Sequence, residues 1–191
     1  MLLLALGLLI FIAVHSIRLV ADDWRTRQIA RLGLLRWKAL YSIVSLLGFV
    51  LIVWGFGAAR TAPLVLWSTP LFTRHLALLL TLVAFILLTA AYVPGTRIKA
   101  KLGHPMLLAV KIWALAHLLA NGKAADLLLF GVFLLWSIAD YAVSRRRDRL
   151  QGTIYPAKGF SRDLLALVVG GGAWLWFAYF GHAWLIGVRP F

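Results

Sequence analysis

Four ionisable side chains interrupt the otherwise apolar stretch Gly103–Asp140. They are His104, Lys111, His117 and Asp140. A charged group at the centre of a bilayer costs about 2.5–3.5 kcal/mol on insertion scales, so such residues are rare in membrane segments and usually functional. Histidine is also the commonest metal ligand, in its neutral form. This stretch is therefore the first candidate for a functional site, by ion pairing or by metal ligation.

The composition is that of an integral membrane protein. Hydrophobic residues make up 63% of the 191 residues, and the mean hydropathy is +0.91. A chain of this length holds about five to seven spanning helices of about 20 residues and little else. We therefore expect a single membrane domain, residues 1–191. The chain has no cysteine, which excludes disulfides, iron–sulfur clusters and thiolate metal sites.

Six apolar segments follow one another along the chain. They are Leu2–Val20, Ala39–Ala59, Pro70–Val93, Pro105–Ala120, Ala124–Val143 and Leu164–Val188. The first lacks a basic n-region and a small-residue cleavage site, so we expect a retained span rather than a signal peptide. The predicted fold class is an all-α integral membrane protein with about six transmembrane helices in one bundle.

The positive charge is concentrated in alternate loops. Fourteen of the twenty Lys and Arg residues fall in the loops after spans one, three and five, and only four are expected on the other side, namely Arg60, Arg74, Lys123 and Arg189. By the positive-inside rule these three loops are cytoplasmic, which places both termini on the non-cytoplasmic side. Topology thus accounts for the formal net charge of +14. The expected partner is the lipid bilayer, and no nucleic acid is expected.

Depth estimates from the helical rise sort the polar residues into layers. A polar network is expected in the cytoplasmic half of the bundle. Its members are His15, Arg18, Ser42, Ser45, His104, Lys111 and Asp140. His117 lies on another face of its helix and nearer the outer side, with His75 and His182 also in the outer region.

Several of these residues have structural explanations. Arg18 can pair with Asp22 one turn later or extend to the interface. Lys111 and Asp140 can form an ion pair between helices. His104 can cap the helix that begins at Pro105.

His15 and His117 are harder to explain structurally. Each lies among apolar neighbours with no adjacent acidic residue. Satisfied core imidazoles and metal ligands remain equal alternatives for them. With 13% aromatic residues and imidazoles on different helices, the composition suits a flat apolar cofactor such as haem, which helical bundles hold between facing helices.

The sequence does not contain the residue patterns that several other reaction types require. Of the six acidic residues only Asp140 is expected inside the membrane, so a paired-carboxylate site is absent. No glycine-rich phosphate loop or His-Glu-x-x-His zinc motif occurs. Hydrolytic and ATP-driven reactions are disfavoured.

The sequence resembles the NnrU family of bacterial membrane proteins along nearly its whole length. The matching segments are His15–Arg18, Tyr41-Ser42, Ser45 with Gly48, Ala59-Arg60, His104–Met106, Lys111–Gly122, Leu128–Gly131 and His182 with Leu185–Val188. The run from Lys111 to Gly122 is the most specific. The resemblance implies a multi-pass protein of the bacterial inner (cytoplasmic) membrane, associated with denitrification and nitric oxide metabolism.

NnrU proteins are in turn similar to 15-cis-zeta-carotene isomerase, a membrane enzyme with haem b. That similarity implies haem b here, with His15 and His117 as the candidate ligands of its iron. The isomerase's alternative thiolate position is Ala114 in this chain, so a switch from histidine to cysteine cannot occur. Depth arithmetic instead favours His15 with His104, and both pairings stay open.

The expected function is thus that of a haem-binding, redox-linked membrane protein, acting in nitrogen-oxide metabolism or in an isomerase-like reaction on an apolar polyene. Whether it is an enzyme is left open. One alternative is an S-adenosylmethionine-dependent membrane methyltransferase, because His104-Pro105 follows a basic loop, although the acidic part of that motif has no equivalent here. Another is a non-enzymatic partner of a respiratory complex, whose buried polar residues are only structural.

Overall fold

A computed structural model describes residues 1–190, which fold into α-helices joined by short connections. The helices are α1 (Leu2–Val20), α2 (Asp22–Leu32), α3 (Leu34–Ala59), α4 (Leu71–Tyr92), α5 (Arg97–Leu102), α6 (Pro105–Ala120), α7 (Ala124–Gln151), α8 (Phe160–Trp176) and α9 (His182–Ile186). A π-helical turn, Phe177–Gly181, joins α8 to α9. Within the described chain five helical runs are long and apolar enough to cross a membrane: α1, α3, α4, α7 and Phe160–Ile186. The all-helical membrane fold is therefore confirmed.

The sixth predicted span, α6, is apolar but only 16 residues long. Its observed bounds agree with those expected from hydropathy, as do those of α1. Other helices extend past their apolar segments. Helix α3 begins at Leu34, and α7 continues to Gln151 through an arginine-rich segment. Backbone hydrogen bonding continues there because Arg, Leu and Lys are good helix formers in water.

Two short helices occupy basic segments that were expected to be loops. In α2 two aspartates stand in the first turn, where they complement the positive end of the helix dipole. Helix α5 is capped by Thr96, whose Oγ1 accepts a hydrogen bond from the Lys99 N–H at 3.1 Å. Gly33 and Gly103 end these helices with φ of +82° and +73°, values that side-chain-bearing residues rarely adopt.

The chain forms two compact units. Unit 1 comprises Met1–Leu66 and Lys123–Val132, and unit 2 comprises Trp67–Gly122 and the chain from Phe133 onwards. In unit 1, α1 packs against α3 with the two backbones in contact. A Cβ on Gly7 would lie 2.6 Å from the Ile52 nitrogen. Small residues at such positions let membrane helices approach closely.

In unit 2, α4 packs against both α6 and α8. On one side Ala84 and Leu87 of α4 form a buried cluster with Ala109 of α6. On the other side the Trp174 Nε1 of α8 donates to the Thr81 Oγ1 of α4 at 3.1 Å. Helix α4 therefore packs against two other helices of unit 2, α6 and α8.

Candidate functional site

His15 is held against its own helix in unit 1. Its Nδ1 lies 2.7 Å from the Phe11 carbonyl oxygen. The imidazole also stacks on the Phe11 ring, with centroids 4.0 Å apart, and lies 5.4 Å from the Tyr41 ring. Because a carbonyl oxygen only accepts, Nδ1 must carry the proton, and the neutral ring then has its lone pair on Nε2.

His117 repeats this arrangement in unit 2. Its Nδ1 lies 2.8 Å from the Trp113 carbonyl oxygen, and the two rings lie 5.2 Å apart. Each histidine thus bonds to the carbonyl of an aromatic residue four positions earlier. Metal-ligating histidines usually donate their second ring N–H in this manner, to a carbonyl or a carboxylate. Both side chains therefore hold the tautomer that ligation through Nε2 requires.

Three other members of the predicted polar network lie in unit 1, namely Arg18, Ser42 and Ser45. Arg18 and Ser42 are exposed. Asp22, the expected partner of Arg18, instead pairs with Arg25 at 3.2 Å. The Ser45 Oγ is buried and has no hydrogen-bond partner among residues 1–190.

The expected ion pair between Lys111 and Asp140 is not formed in the described part of unit 2. Lys111 Nζ lies 4.8 Å from the centre of the Tyr141 ring, a cation–π contact. The Asp140 carboxylate accepts from the Ser144 Oγ at 2.9 Å. Neighbouring helical residues point about 100° apart, so the side chain that α7 presents to Lys111 is Tyr141 rather than Asp140.

His104 is bound to a carboxylate that was not expected to be part of a site. Its Nε2 lies 2.9 Å from Asp148 Oδ2, and within residues 1–190 no side-chain hydrogen bond caps α6. Asp148 is only 6% exposed. The Tyr155 hydroxyl donates to this carboxylate, 3.2 Å from either oxygen, and Arg145 approaches to 3.7 Å. A salt-linked cluster therefore joins α6, α7 and the loop after α7.

Asp148 was missed because it stands in the run Ser-Arg-Arg-Arg-Asp-Arg, which was interpreted as a solvated loop. A signal for it was present in the spacing of polar residues along α7. Ser137, Tyr141, Ser144 and Asp148 recur every three or four residues, which places them on one helical face. Three of these four residues, all except Tyr141, are buried.

Asp140 was the one acid expected inside the membrane, but it is not the most buried acid of the described chain. Asp126, Asp148 and Asp163 are each 6% exposed, whereas Asp140 is half-buried. Asp163 is fixed by the Arg97 Nε at 2.7 Å and by the Ile98 N–H at 3.3 Å. Hydropathy could not identify these acids because each stands near the end of an apolar run, where charge is expected to be solvated.

Burial raises the pKa of the Tyr155 hydroxyl, and the charge and hydrogen bond of Asp148 raise it further. A raised pKa means that the contact stabilises the fold below the ordinary tyrosine pKa of about 10 and is lost as pH rises through the higher folded value. We expect Tyr155 to ionise above about pH 10. The difference in phenolate absorbance between wild type and Tyr155→Phe measures this, and ionisation at or below the ordinary pKa would contradict it.

No set of three His, Asp or Glu side chains in residues 1–190 is arranged to hold a metal ion. A hollow of about 620 Å³ in unit 2 lies beside the π-helical turn and is open. Trp176, Tyr179, Phe180 and Trp184 line it. Aromatic residues at the end of a membrane helix favour the lipid interface, so the lining of this hollow is typical of a surface in contact with lipid.

Comparison with known protein families matches residues 3–190 to the NnrU family, described as NnrU protein. Searches of curated proteins and of solved structures found no match. The family match covers almost the whole chain, including both histidines that share the Nδ1-to-carbonyl arrangement. The apolar helices agree with a multi-pass membrane protein. The chain belongs to the NnrU family.

Proposed function

We propose that this protein binds haem b and is a redox-linked protein of the bacterial inner membrane. His15 and His117 are the proposed ligands of the iron. The observation that carries the proposal is their common geometry, in which Nδ1 is bonded to a backbone carbonyl at 2.7 Å and 2.8 Å. This bond orients each ring and, in the neutral form, places the ring lone pair on Nε2, the nitrogen through which it would bind a metal.

The surroundings of both histidines fit a flat apolar cofactor. Phe11 and Tyr41 lie beside His15, and Trp113 lies beside His117. Around His117, Ala114 and Ala116 are fully buried and present only methyl groups. In such a setting a neutral imidazole is the expected state. His104 differs in its tautomer, because its Nε2 bonds to Asp148 and the lone pair of the neutral ring then lies on Nδ1.

Haem iron bound through histidine would supply one-electron redox chemistry, at a potential that the ligands and their hydrogen bonds set. The residues of this chain would hold the ring and exclude water. The resemblance connects this chemistry with nitric oxide metabolism and denitrification, or with isomerisation of an apolar polyene. The experiment should therefore detect loss of bound haem in a protein that remains folded.

The test is the absorption spectrum of protein purified from haem-replete cells. We expect a Soret band in the wild type and a large loss of bound haem in His15→Ala and His117→Ala, at least the 10–100-fold typical of disturbed metal sites. His75→Ala is the matched control, because His75 is an exposed histidine of α4. A colourless wild type would refute haem binding, and equal loss in all three variants would refute the assignment of ligands.

A non-enzymatic membrane partner is the second candidate. Contacts within single units support this second candidate. Lys111 makes a cation–π contact with the Tyr141 ring, and His15 and His117 each hydrogen-bond to a backbone carbonyl of their own helix. Replacing His15, Lys111 and His117 together separates the two candidates. A structural partner would keep its co-purification with a reductase, whereas a haem protein would lose its spectrum.

A further inference from the structure

We propose that His104 is a general acid–base residue of a second site, at the end of unit 2 that carries α5 and the loop after α7. This site is independent of haem binding. Its ligand is a weak acid or hydroxyl compound with an anionic group. Asp148 and Tyr155 are the positioning residues that prepare His104 for proton transfer.

The tautomer of His104 follows from its partner. A buried carboxylate lies 2.9 Å from its Nε2, and an ionised carboxylate only accepts hydrogen bonds. The proton is therefore on Nε2, and the neutral ring has its lone pair on Nδ1. This tautomer is the opposite of that in His15 and His117. A base oriented by a carboxylate through its other nitrogen is the arrangement that acid–base and nucleophilic sites use.

Asp148 is itself fixed in place. The Tyr155 hydroxyl lies 3.2 Å from both carboxylate oxygens, and the His104 and Tyr155 rings meet edge to face at 5.9 Å. The side chain of Asp148 is 8% exposed, while that of His104 is 21% exposed. Asp148, which orients the base, is thus buried, whereas His104 remains partly accessible. Proton transfer between His104 and a bound ligand requires this accessibility.

The charge around the base is positive. Arg145 approaches Asp148 and lies so close to Gly103 that a Cβ there would be 2.5 Å from its Nη1. Lys99 Nζ lies 6.0 Å from the Tyr155 ring. The next residues outward, Lys101, Arg146 and Arg149, are exposed cations. These cations surround the approach to His104, so binding of an anionic ligand is favoured.

The proton balance is simple. An O–H of the ligand gives its proton to His104 Nδ1, and the ring becomes an imidazolium that the Asp148 carboxylate stabilises without taking the proton. The conjugate base keeps the electron pair of the broken O–H bond, and the cation of Arg145 stabilises it. The reverse transfer restores both groups, so no oxidant or co-reactant is needed.

The test is the carbethoxylation rate of each histidine by diethylpyrocarbonate, mapped by mass spectrometry on detergent-solubilised full-length protein. The reagent is attacked by the lone pair of a neutral imidazole. With all proteins compared at the same alkaline pH, we expect Asp148→Asn to slow the reaction of His104 about tenfold, the rate equivalent of losing one charge-assisted hydrogen bond. The exposed His75 should react equally in both proteins.

Tyr155→Phe is the second variant, because it keeps the ring and the carboxylate. It should slow His104 by a smaller factor and leave His75 unchanged. Millimolar inorganic phosphate, the anionic probe, should protect His104 in the wild type and fail to protect it in Arg145→Gln. An unreactive His104, or equal rates in wild type and both variants, would overturn the acid–base site. Absence of protection would overturn the anionic ligand, and neither result bears on the Soret band.

Discussion

Gly55→Leu is expected to destroy the packing of α1 on α3 and to lower the melting temperature of the protein sharply. A Cβ on Gly55 would collide with the backbone nitrogen of Leu4 and lie 2.7 Å from its Cα. Gly7 and Gly48 in the same interface show similarly short distances. Overpacking costs about 1–3 kcal/mol where side chains can move. Here backbone faces backbone, so whole helices must separate and the cost exceeds that range.

Gly57→Leu is the matched control, two residues along the same helix. No atom of the described chain lies within 4 Å of a Cβ placed there. Thermal unfolding in detergent, followed by size-exclusion chromatography, compares the two variants. We expect Gly57→Leu to behave as the wild type. Equal melting temperatures for Gly55→Leu and Gly57→Leu would show that α1 and α3 are not in backbone contact.

Gly170→Leu is expected to have a comparable effect in unit 2. A Cβ on Gly170 would lie 2.8 Å from the Ile86 Cα and 3.1 Å from the Phe85 carbonyl oxygen. The obstacle is again backbone, because α8 rests directly on α4. Displacing α8 would also strain the hydrogen bond between Trp174 and Thr81 and the ion pair between Arg97 and Asp163.

The glycine triplet supplies its own control. At Gly171 and Gly172, no atom of residues 1–190 would lie within 4 Å of an added Cβ. Gly171→Leu should therefore leave the melting temperature close to that of wild type, and its leucine gains helix propensity over glycine. If Gly171→Leu were as destabilising as Gly170→Leu, conformational freedom rather than close packing would be the role of the triplet.

The spans could be predicted from hydropathy because burial in lipid selects apolar side chains over about 20 residues. The ends of α3 and α7 could not. Hydropathy detects where the apolar run ends, and α7 continues beyond that run from Val143 to Gln151. The two basic segments that form α2 and α5 were expected to be loops for the same reason. Their helicity comes from capping at Thr96 and from the two aspartates of α2.

The sequence could nominate candidate site residues but not their partners. His15, His104, His117 and Lys111 stand out because they are ionisable residues in or beside apolar segments. Their partners follow from tertiary packing. The carboxylate that binds His104 lies 44 positions away in an arginine run, and the group that faces Lys111 is the ring next to the expected acid. The triplet Gly170–Gly172 is a further case in which the sequence does not show which residue makes the contact. In the described chain, Gly170 alone of the three contacts a neighbouring helix.

The shortness of α6 has a consequence for the surrounding lipid. Sixteen residues extend about 24 Å, whereas the hydrocarbon layer is about 30 Å thick. Met106 and Leu115 on this helix are exposed on the surface of the protein. If α6 spans the bilayer, lipid beside these residues must compress, because polar groups at His104 and Asn121 end the apolar run on either side. Hydrophobic mismatch of this kind favours short acyl chains and draws a protein toward thinner membrane regions.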